Sequence, residues 1–463
     1  MRLSYLIQIL ASVLITGLLG AQFSLAQIPL QTIIDGAEKG AIIVLKPGVY
    51  DGPIVIRKSV TLDGAGKATI DAHGKGTVIT IKASGVTVQN LRLIGSGDQH
   101  NDIDAGITIE GNFNVIKNNI IEECLFGVSI QQSNNNVIRR NKISSKSDAE
   151  LGTRGDSFRL WYSRNNIIEE NIVTKSRDFV VWYSADNIIK NNNISDGRYG
   201  LHFMYSRYNL VEDNTFLRNS TGIFLMYSDS VVLRGNHVFR AQGAAGVGIG
   251  FKEASNLDIF NNEILYNGVA MYLDVSPFQP DTTNRIYRNT IAFNDTGVMF
   301  LNDWKGNEFM DNRFMNNIRQ VAVSTFATAN RNIWQGNFWD DYEGFDLNKD
   351  GIGDRPYRLN VYADRLGMDV PHAAFFRGTP VLGLLDFMEK LAPFTEPMLM
   401  LEDKMPRTHK DFEPAVSIEP RANKGQALET FGLTTAEDKA GTSMNQLDPF
   451  GILKDERQGE KNE

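Results

Sequence analysis

The sequence predicts an all-β fold: a parallel, right-handed β-helix solenoid of about 11 coils, followed by a C-terminal helical or extended segment. Three observations carry this reading. The first is an asparagine excess confined to one stretch, since 37 of the 41 Asn lie between residues 90 and 348. The second is their register. A frame of Asn, four residues and Asn, the four typically two apolar and two polar, recurs at 114–119, 136–141, 166–171, 187–192 and 209–214, and again at 284–289, 307–312 and 332–337. Val231 takes the first Asn position before Asn236, and the uninterrupted step is 21 or 22 residues. A repeat of this length cannot bury its own apolar face and must stack on its neighbours. The third is the texture within each repeat. Short alternating runs such as Gly222-Ile223-Phe224-Leu225, set between Gly, Asn and Ser, are strands rather than helices. Coils stacked about 4.8 Å apart place the recurrent Asn above one another, where Asn suits left-handed turns and passes side-chain hydrogen bonds along the stack. Parallel crossovers are almost always right-handed, which sets the expected hand.

In chain order, the first element is an address. Residues 3–19 form a mostly apolar run after Arg2, and Ser24-Leu25-Ala26 offers small residues at the two positions that a signal peptidase reads. A secretory signal over 1–26 follows, with the mature chain exported, in a bacterium to the periplasm or beyond. The β-helix is expected over 27–345. Its opening coils, 28–90, carry strands in the same style with no Asn before residue 90, among them Ile42-Ile43-Val44-Leu45 and Val60-Thr61-Leu62. Insertions break the period at 144–157, 241–246 and 276–283, and insertions on a solenoid tend to mark its binding face.

One outward column carries the wrong chemistry for solvent. Alternation in the strand before each Ser-x-x-Asn turns Val128 and Ile130, Leu201 and Phe203, and Ile223 and Leu225 inward. The outward positions run from Ser129 and Gln131 to Arg159 and Trp161, Val180 and Trp182, His202 and Met204, and Phe224 and Met226. Tyr162, Tyr183, Tyr205 and Tyr227 run beside them, and Met299 and Leu301 continue the column if Gly297 aligns with Gly222. Such a stripe reads as an interaction site, with Trp161, Trp182, Tyr205, Phe224 and Tyr227 as partner contacts, or as a face covered by another segment of the chain. Within it His202, Met204 and Met226 come from neighbouring coils, and thioether with imidazole suits Cu(I). Met is also an ordinary packing residue of adaptable surfaces.

Other candidate constellations are weaker. His100, Asp102, Asp104 and the stretch from Asp156 to Arg159 could serve a polysaccharide lyase, hydrolase or epimerase, although Asp is common in turns for its own conformational reasons. Cys124 falls in a turn column with Ser176, Gly197 and Asn219, and so reads as a turn residue. Over 346–357, Asp346, Asn348, Asp350 and Asp354 alternate in the manner of a calcium loop, but Tyr357 occupies the place of the bidentate Glu. From 358 to 402 an apolar segment containing Phe375, Phe376, Leu384, Leu385 and Phe387 either caps the open end of the solenoid or docks on a membrane partner. Residues 403–463 lack periodicity and read as a disordered tail.

Composition excludes some classes. With 47 basic against 55 acidic residues the net charge is −8, which argues against a general nucleic-acid binder. A single Cys forbids an internal disulfide and any multi-thiolate metal site.

The Asn coils, the Trp/Met-Tyr-Ser column, Leu273-Asp274-Val275-Ser276-Pro277-Phe278-Gln279-Pro280-Asp281, Leu301-Asn302-Asp303-Trp304, Gly336-Asn337-Phe338-Trp339-Asp340-Asp341-Tyr342 and Phe376-Arg377-Gly378-Thr379-Pro380 together resemble the NosD family, periplasmic β-helix proteins of nitrous oxide reductase maturation. The resemblance spans the chain to about 400, and the loop and tail segments are more specific than the coils. It implies a non-enzymatic role in copper delivery, in company with a membrane ABC transporter (ATPase and permease subunits), a copper-chaperone lipoprotein and apo nitrous oxide reductase. The copper residues named above rest on the column and not on the family. The competing reading is a β-helix polysaccharide lyase or epimerase, or a carbohydrate-binding protein, whose groove would be lined by Asp, Lys and Arg.

Overall fold

The computed structural model describes residues 29–324, 328–361 and 398–412, together with positions 380, 384, 387 and 388. The sequences predicted as a signal peptide and as most of the C-terminal tail lie outside these residues, as do Phe375, Phe376 and Leu385. Short parallel strands wind into a β-helix, as the periodicity predicts. A 12-stranded sheet runs from Ile54–Ile56 to Arg319–Val323, and the other two faces are joined into one 24-stranded sheet. Each of those two faces has about thirteen rungs, more than the eleven expected. The difference arises in the opening coils, where the long strands Thr61–Asp71 and Thr87–Ile94 each turn a corner and serve both faces. Those coils carry no pair of Asn in the recurring frame by which to count them.

Asparagine organises the interior. Along one column each Asn Nδ2 donates to the Oδ1 of the next, without a break from Asn119 through Asn141, Asn171, Asn192, Asn214, Asn236, Asn262, Asn289 and Asn312 to Asn337. The same Oδ1 also accepts the preceding Asn's backbone N–H, as Asn214 does from Asn192. Buried polar groups of the turn are satisfied in this way without water, at about 1 kcal/mol net for each bond. The column that starts at Asn114 is interrupted by buried Val231 and Leu257 and resumes at Asn284. The ladder Asn are not themselves the left-handed residues, contrary to expectation. Positive φ falls on the residue before each, for example Asn118, Arg140, Glu170, Asn191 and Asp213. That residue makes the corner so that the Asn amide can point inward.

Both ends are closed. The helix Leu30–Gly36 covers the first coil with Leu30 and Ile34. At the other end the antiparallel pair Tyr357–Val361 and Met398–Asp403 lies over the last coil, with Met400, Leu401 and Tyr357 in the core. Asp403, which composition assigned to the tail, is buried here and ends the Asn column. Its carboxylate accepts from the backbone N–H of Gly336, Asn337 and Met405, from Asn337 Nδ2 and from Trp339 Nε1.

Candidate functional site

The three insertions all adjoin strands of the 12-stranded sheet. Loops 96–104 and 144–157 precede its strands and pack on each other: Lys146 bonds Asp98, and His100 Nε2 meets the Thr153 carbonyl at 3.0 Å. Residues 276–283 follow a strand two coils beyond the second Met of the stripe, where the Phe278 and Gln279 N–H groups donate to Ser255 Oγ and Trp304 Nε1 donates to the Pro277 carbonyl.

Register builds the stripe. Arg159, Val180, His202, Phe224, Gly250, Tyr272 and Met299 align in one column, and Trp161, Trp182, Met204, Met226, Lys252 and Asp274 in the next. The alignment of Gly297 with Gly222 that places Met299 outward is present. Trp161, Trp182, His202, Met204, Phe224 and Met226 are all half-buried, because each shields its neighbours in the stack. A side chain on Gly250 would collide with the Phe224 ring, so this glycine makes the room in which Phe224 lies. The apolar run ends at an ion pair, Lys252 with Asp274 at 3.7 Å.

Within the stripe, His202 Nε2 lies 3.1 Å from Met226 Sδ, and Met204 is paired in register with Met226. The His202 ring stacks on Tyr199 at 4.6 Å and sits edge-on to Phe224 at 6.4 Å. Sequence reasoning missed Tyr199, whose role depends on a register shift between Asp178 and Val180 that no pattern announces. Burial holds the imidazole below its ordinary pKa, with Arg198 acting in the same direction and Asp178 against it. His202 is therefore neutral near pH 7, and a neutral ring nitrogen is available as donor or ligand.

Tyr162, Tyr183, Tyr205 and Tyr227 form a stack with centroids 4.8, 5.1 and 4.8 Å apart. Each holds a positive φ, a conformation costly for a bulky residue.

Beneath the start of the stripe lies an ionic layer that takes in Asp156 and Arg159 of the candidate catalytic set. Arg177 donates to Asp156 from Nη2 at 2.9 Å, and Arg198 bonds Asp178 from Nε at 2.9 Å. Both carboxylates are buried, and burial pushes the Asp156 carboxyl up to about 6. The other members of that candidate set do not gather around one point. Asp104 closes its own loop by accepting from Gln99 N–H, and His100 is occupied with Thr153. Cys124 is fully buried, and burial pushes its thiol up to about 12, so it stays protonated.

In loop 346–354 the side chains serve the backbone. Asp346 accepts from Asp350 and Gly351 N–H, Asp354 accepts from Leu347 N–H, and Asn348 Nδ2 donates to Asp350. Among the described residues no group of three or more His, Cys, Asp or Glu is disposed to hold a metal ion, so the calcium expectation has no gathered carboxylate set behind it. A copper seat among them would draw on thioether sulfur. No helix among the described residues is long and apolar enough to cross a membrane. Leu384 and Phe387 of the expected docking segment are exposed.

The family described as "Periplasmic copper-binding protein (NosD)" matches residues 143–344. Two curated proteins, each named "Probable ABC transporter binding protein NosD", are similar over most of the chain. The one from Pseudomonas aeruginosa is 27% identical over 379 residues, 75% of this chain and 84% of that protein. The one from Stutzerimonas stutzeri is 29% identical over 389 residues, 80% of this chain and 86% of that protein. Among solved structures, the A-module of the Azotobacter vinelandii mannuronan C-5 epimerase AlgE6 superposes with a TM-score of 0.51 at 17% identity, covering 65% of this chain and 93% of that one. That likeness concerns the β-helix alone.

Proposed function

We propose, from the premise that the chain belongs to the NosD family, that it is a periplasmic accessory protein that handles copper for an ABC transporter system and takes no catalytic part itself. The observation that carries this reading is the contact of His202 Nε2 with Met226 Sδ, with Met204 beside it. A neutral imidazole donates there when Nε2 bears the proton. When Nδ1 bears it, the Nε2 and sulfur lone pairs face one another, an arrangement that a soft cation reconciles. Copper is the cargo, received and passed on through these groups, and the stripe of Trp161, Trp182, Phe224, Tyr205 and Tyr227 guides the donor and the acceptor. The copper-chaperone lipoprotein and apo nitrous oxide reductase are the partners that the family resemblance supplies for those roles.

The test is a Cu(I) titration against a competing chelator. Met204→Leu with Met226→Leu preserves volume and should weaken Cu(I) binding by roughly tenfold or more, as loss of soft ligands does. Unchanged affinity would sink the copper assignment.

Of the expected docking segment 358–402, Met400 and Leu401 belong to the core, so we assign the transporter contact to the part between the two cap strands, residues 362–397. The chain leaves the cap at Val361 and returns at Met398, and these two residues are paired in the same sheet. A deletion of 362–397 closed by a short turn should therefore keep the fold and abolish co-purification with the transporter. Removal through 401 would instead take Met400 and Leu401 out of the core. Retained association of the 362–397 deletion refutes the assignment.

The lyase or epimerase reading loses ground on chemistry. Apart from its Arg159 end the stripe is apolar and sulfur-bearing, and the buried Asp–Arg layer has no site where a carboxylate and a second proton-transfer group face one substrate.

A further inference from the structure

We propose that the arginine rim beside the stripe seats an acidic segment of a protein partner, an inference that rests on the docking role given to the stripe above. The rim consists of Arg159, Arg177 and Arg198, contributed by three successive coils. Its ion pairs are layered. The carboxylates of Asp156 and Asp178 are 0% and 2% exposed, whereas the three arginine side chains are 20%, 23% and 45% exposed in the same order as named. Solvent, and any partner, therefore meets guanidinium and not carboxylate. Two carboxylates also serve three arginines, which leaves a surplus of positive charge.

Arg159 is the least satisfied of the three. It lies 3.9 Å from Asp156 Oδ2, without a hydrogen bond to that oxygen, and its Nε has no partner. Its guanidinium rests over the rings of both Trp161 and Trp182, at 5.4 and 5.5 Å, and Arg198 rests over Tyr199 at 5.1 Å. A guanidinium lodged against aromatic rings is held in place without being neutralised, and its charge stays available to a carboxylate. Arg, Trp and Tyr are also the residue types that dominate binding energy at protein interfaces. Arg177 and Arg198 are already fixed by the buried carboxylates and Arg159 is lodged against the two Trp rings, so little ordering cost remains at association. Next to it the face turns to Met204 and Met226. The fitting partner segment accordingly alternates carboxylates with apolar side chains. An acidic polysaccharide would find the guanidiniums but would leave the thioethers without a counterpart.

The experiment measures binding to the full chain by anisotropy, using a labelled peptide of alternating Glu and Leu. A Gln-Leu peptide of equal length and oligogalacturonate serve as the other probes. The Glu-Leu peptide should bind more tightly than the Gln-Leu peptide, and its affinity should fall about tenfold as ionic strength is raised well above physiological. Arg159→Gln should weaken it by roughly tenfold, and Arg159→Lys should restore part of the loss. The salt titration uses the unmodified chain, so a variant that fails to fold does not decide the matter. Equal, salt-insensitive binding of both peptides overturns the acidic partner and leaves an apolar docking face standing. Binding of neither overturns both. Displacement of the Glu-Leu peptide by oligogalacturonate at lower concentration assigns the rim to a polysaccharide and overturns the proposal.

Discussion

Asn192 and Trp182 sit ten residues apart on the same solenoid, one facing into it and the other out of it. The neighbours of Asn192 along its column are Asn171 and Asn214, and the identity persists from Asn119 to Asn337. The neighbours of Trp182 are Trp161 and Met204, after which the column passes through Met226 to Lys252 and Asp274. A buried amide is best matched by another amide in the same place on the next coil, which satisfies donors of both, and the parallel column tolerates only the breaks at Val231 and Leu257. An outward position has no such partner inside the protein. Its residue is set by what lies outside, so function is to be read where neighbouring coils disagree.

The end of the inner column offers the strongest test of this contrast. Asp403 replaces the Asn of a coil that does not exist, and it receives five donors from the last coil and its own turn. Asp403→Ala leaves several of these buried and unpaired, at about 1–3 kcal/mol each, so a loss on the order of 3–5 kcal/mol is expected. In a solenoid the loss should appear first as fraying of the terminal coils, read by hydrogen exchange at the Asn312 and Asn337 amides alongside thermal unfolding. Asp403→Asn keeps an acceptor and should cost far less. If the Ala variant unfolds like the parent, the column does not depend on unbroken pairing, and the contrast drawn above fails.

This same contrast explains what could be read from the chain. The Asn frames from 114 to 337 gave the fold and most of its register, because a one-residue slip would misplace every ladder amide. The outward columns at Trp161–Trp182 and at Met204–Met226 followed from alternation alone. Three things were hidden. The opening coils lack the paired Asn frame, so nothing in the pattern marks that two of their strands turn corners and serve two faces. The pairing of Asp403 with Asn337 joins residues 66 apart, and composition alone made Asp403 look like tail. Tyr199 reaches His202 only because the register shifts after Asp178. Each is a long-range or irregular contact, for which local pattern carries no signal.

A second test probes the layer between inside and outside. Burial pushes the Asp156 carboxyl up to about 6, against the opposing pull of Arg177. Between roughly pH 4 and pH 6 the folded chain holds a proton that the unfolded chain has released, so stability falls as pH rises through that window and levels off above it. Asp156→Asn removes the proton and should flatten this part of the profile, an effect of at most about 2–3 kcal/mol. Unfolding midpoints across the window, parent against variant, check it. Parallel profiles would mean that Asp156 is ionised throughout and fully paired by its arginines.

The smallest effect is expected in the tyrosine stack, and it is the most telling for the outer face. Every coil from Gln132 to Val275 takes positive φ at this position, whether the residue is Gln, Tyr, Glu or Val. The turn therefore does not require tyrosine, and a bulky residue there bears a cost of about 1–3 kcal/mol. Stacking at 4.8–5.1 Å returns about 0.5–1.5 kcal/mol for each pair. In Tyr227→Asn the two terms nearly cancel, because Asn accepts the left-handed conformation readily while the one stacking contact, with Tyr205, is lost. Stability should change by less than about 1 kcal/mol, whereas binding of a stripe partner should weaken, since an aromatic contact of interface type has gone. A variant that loses several kcal/mol would show that the tyrosines hold the solenoid together, and the outer column would then obey the same rule as the inner one.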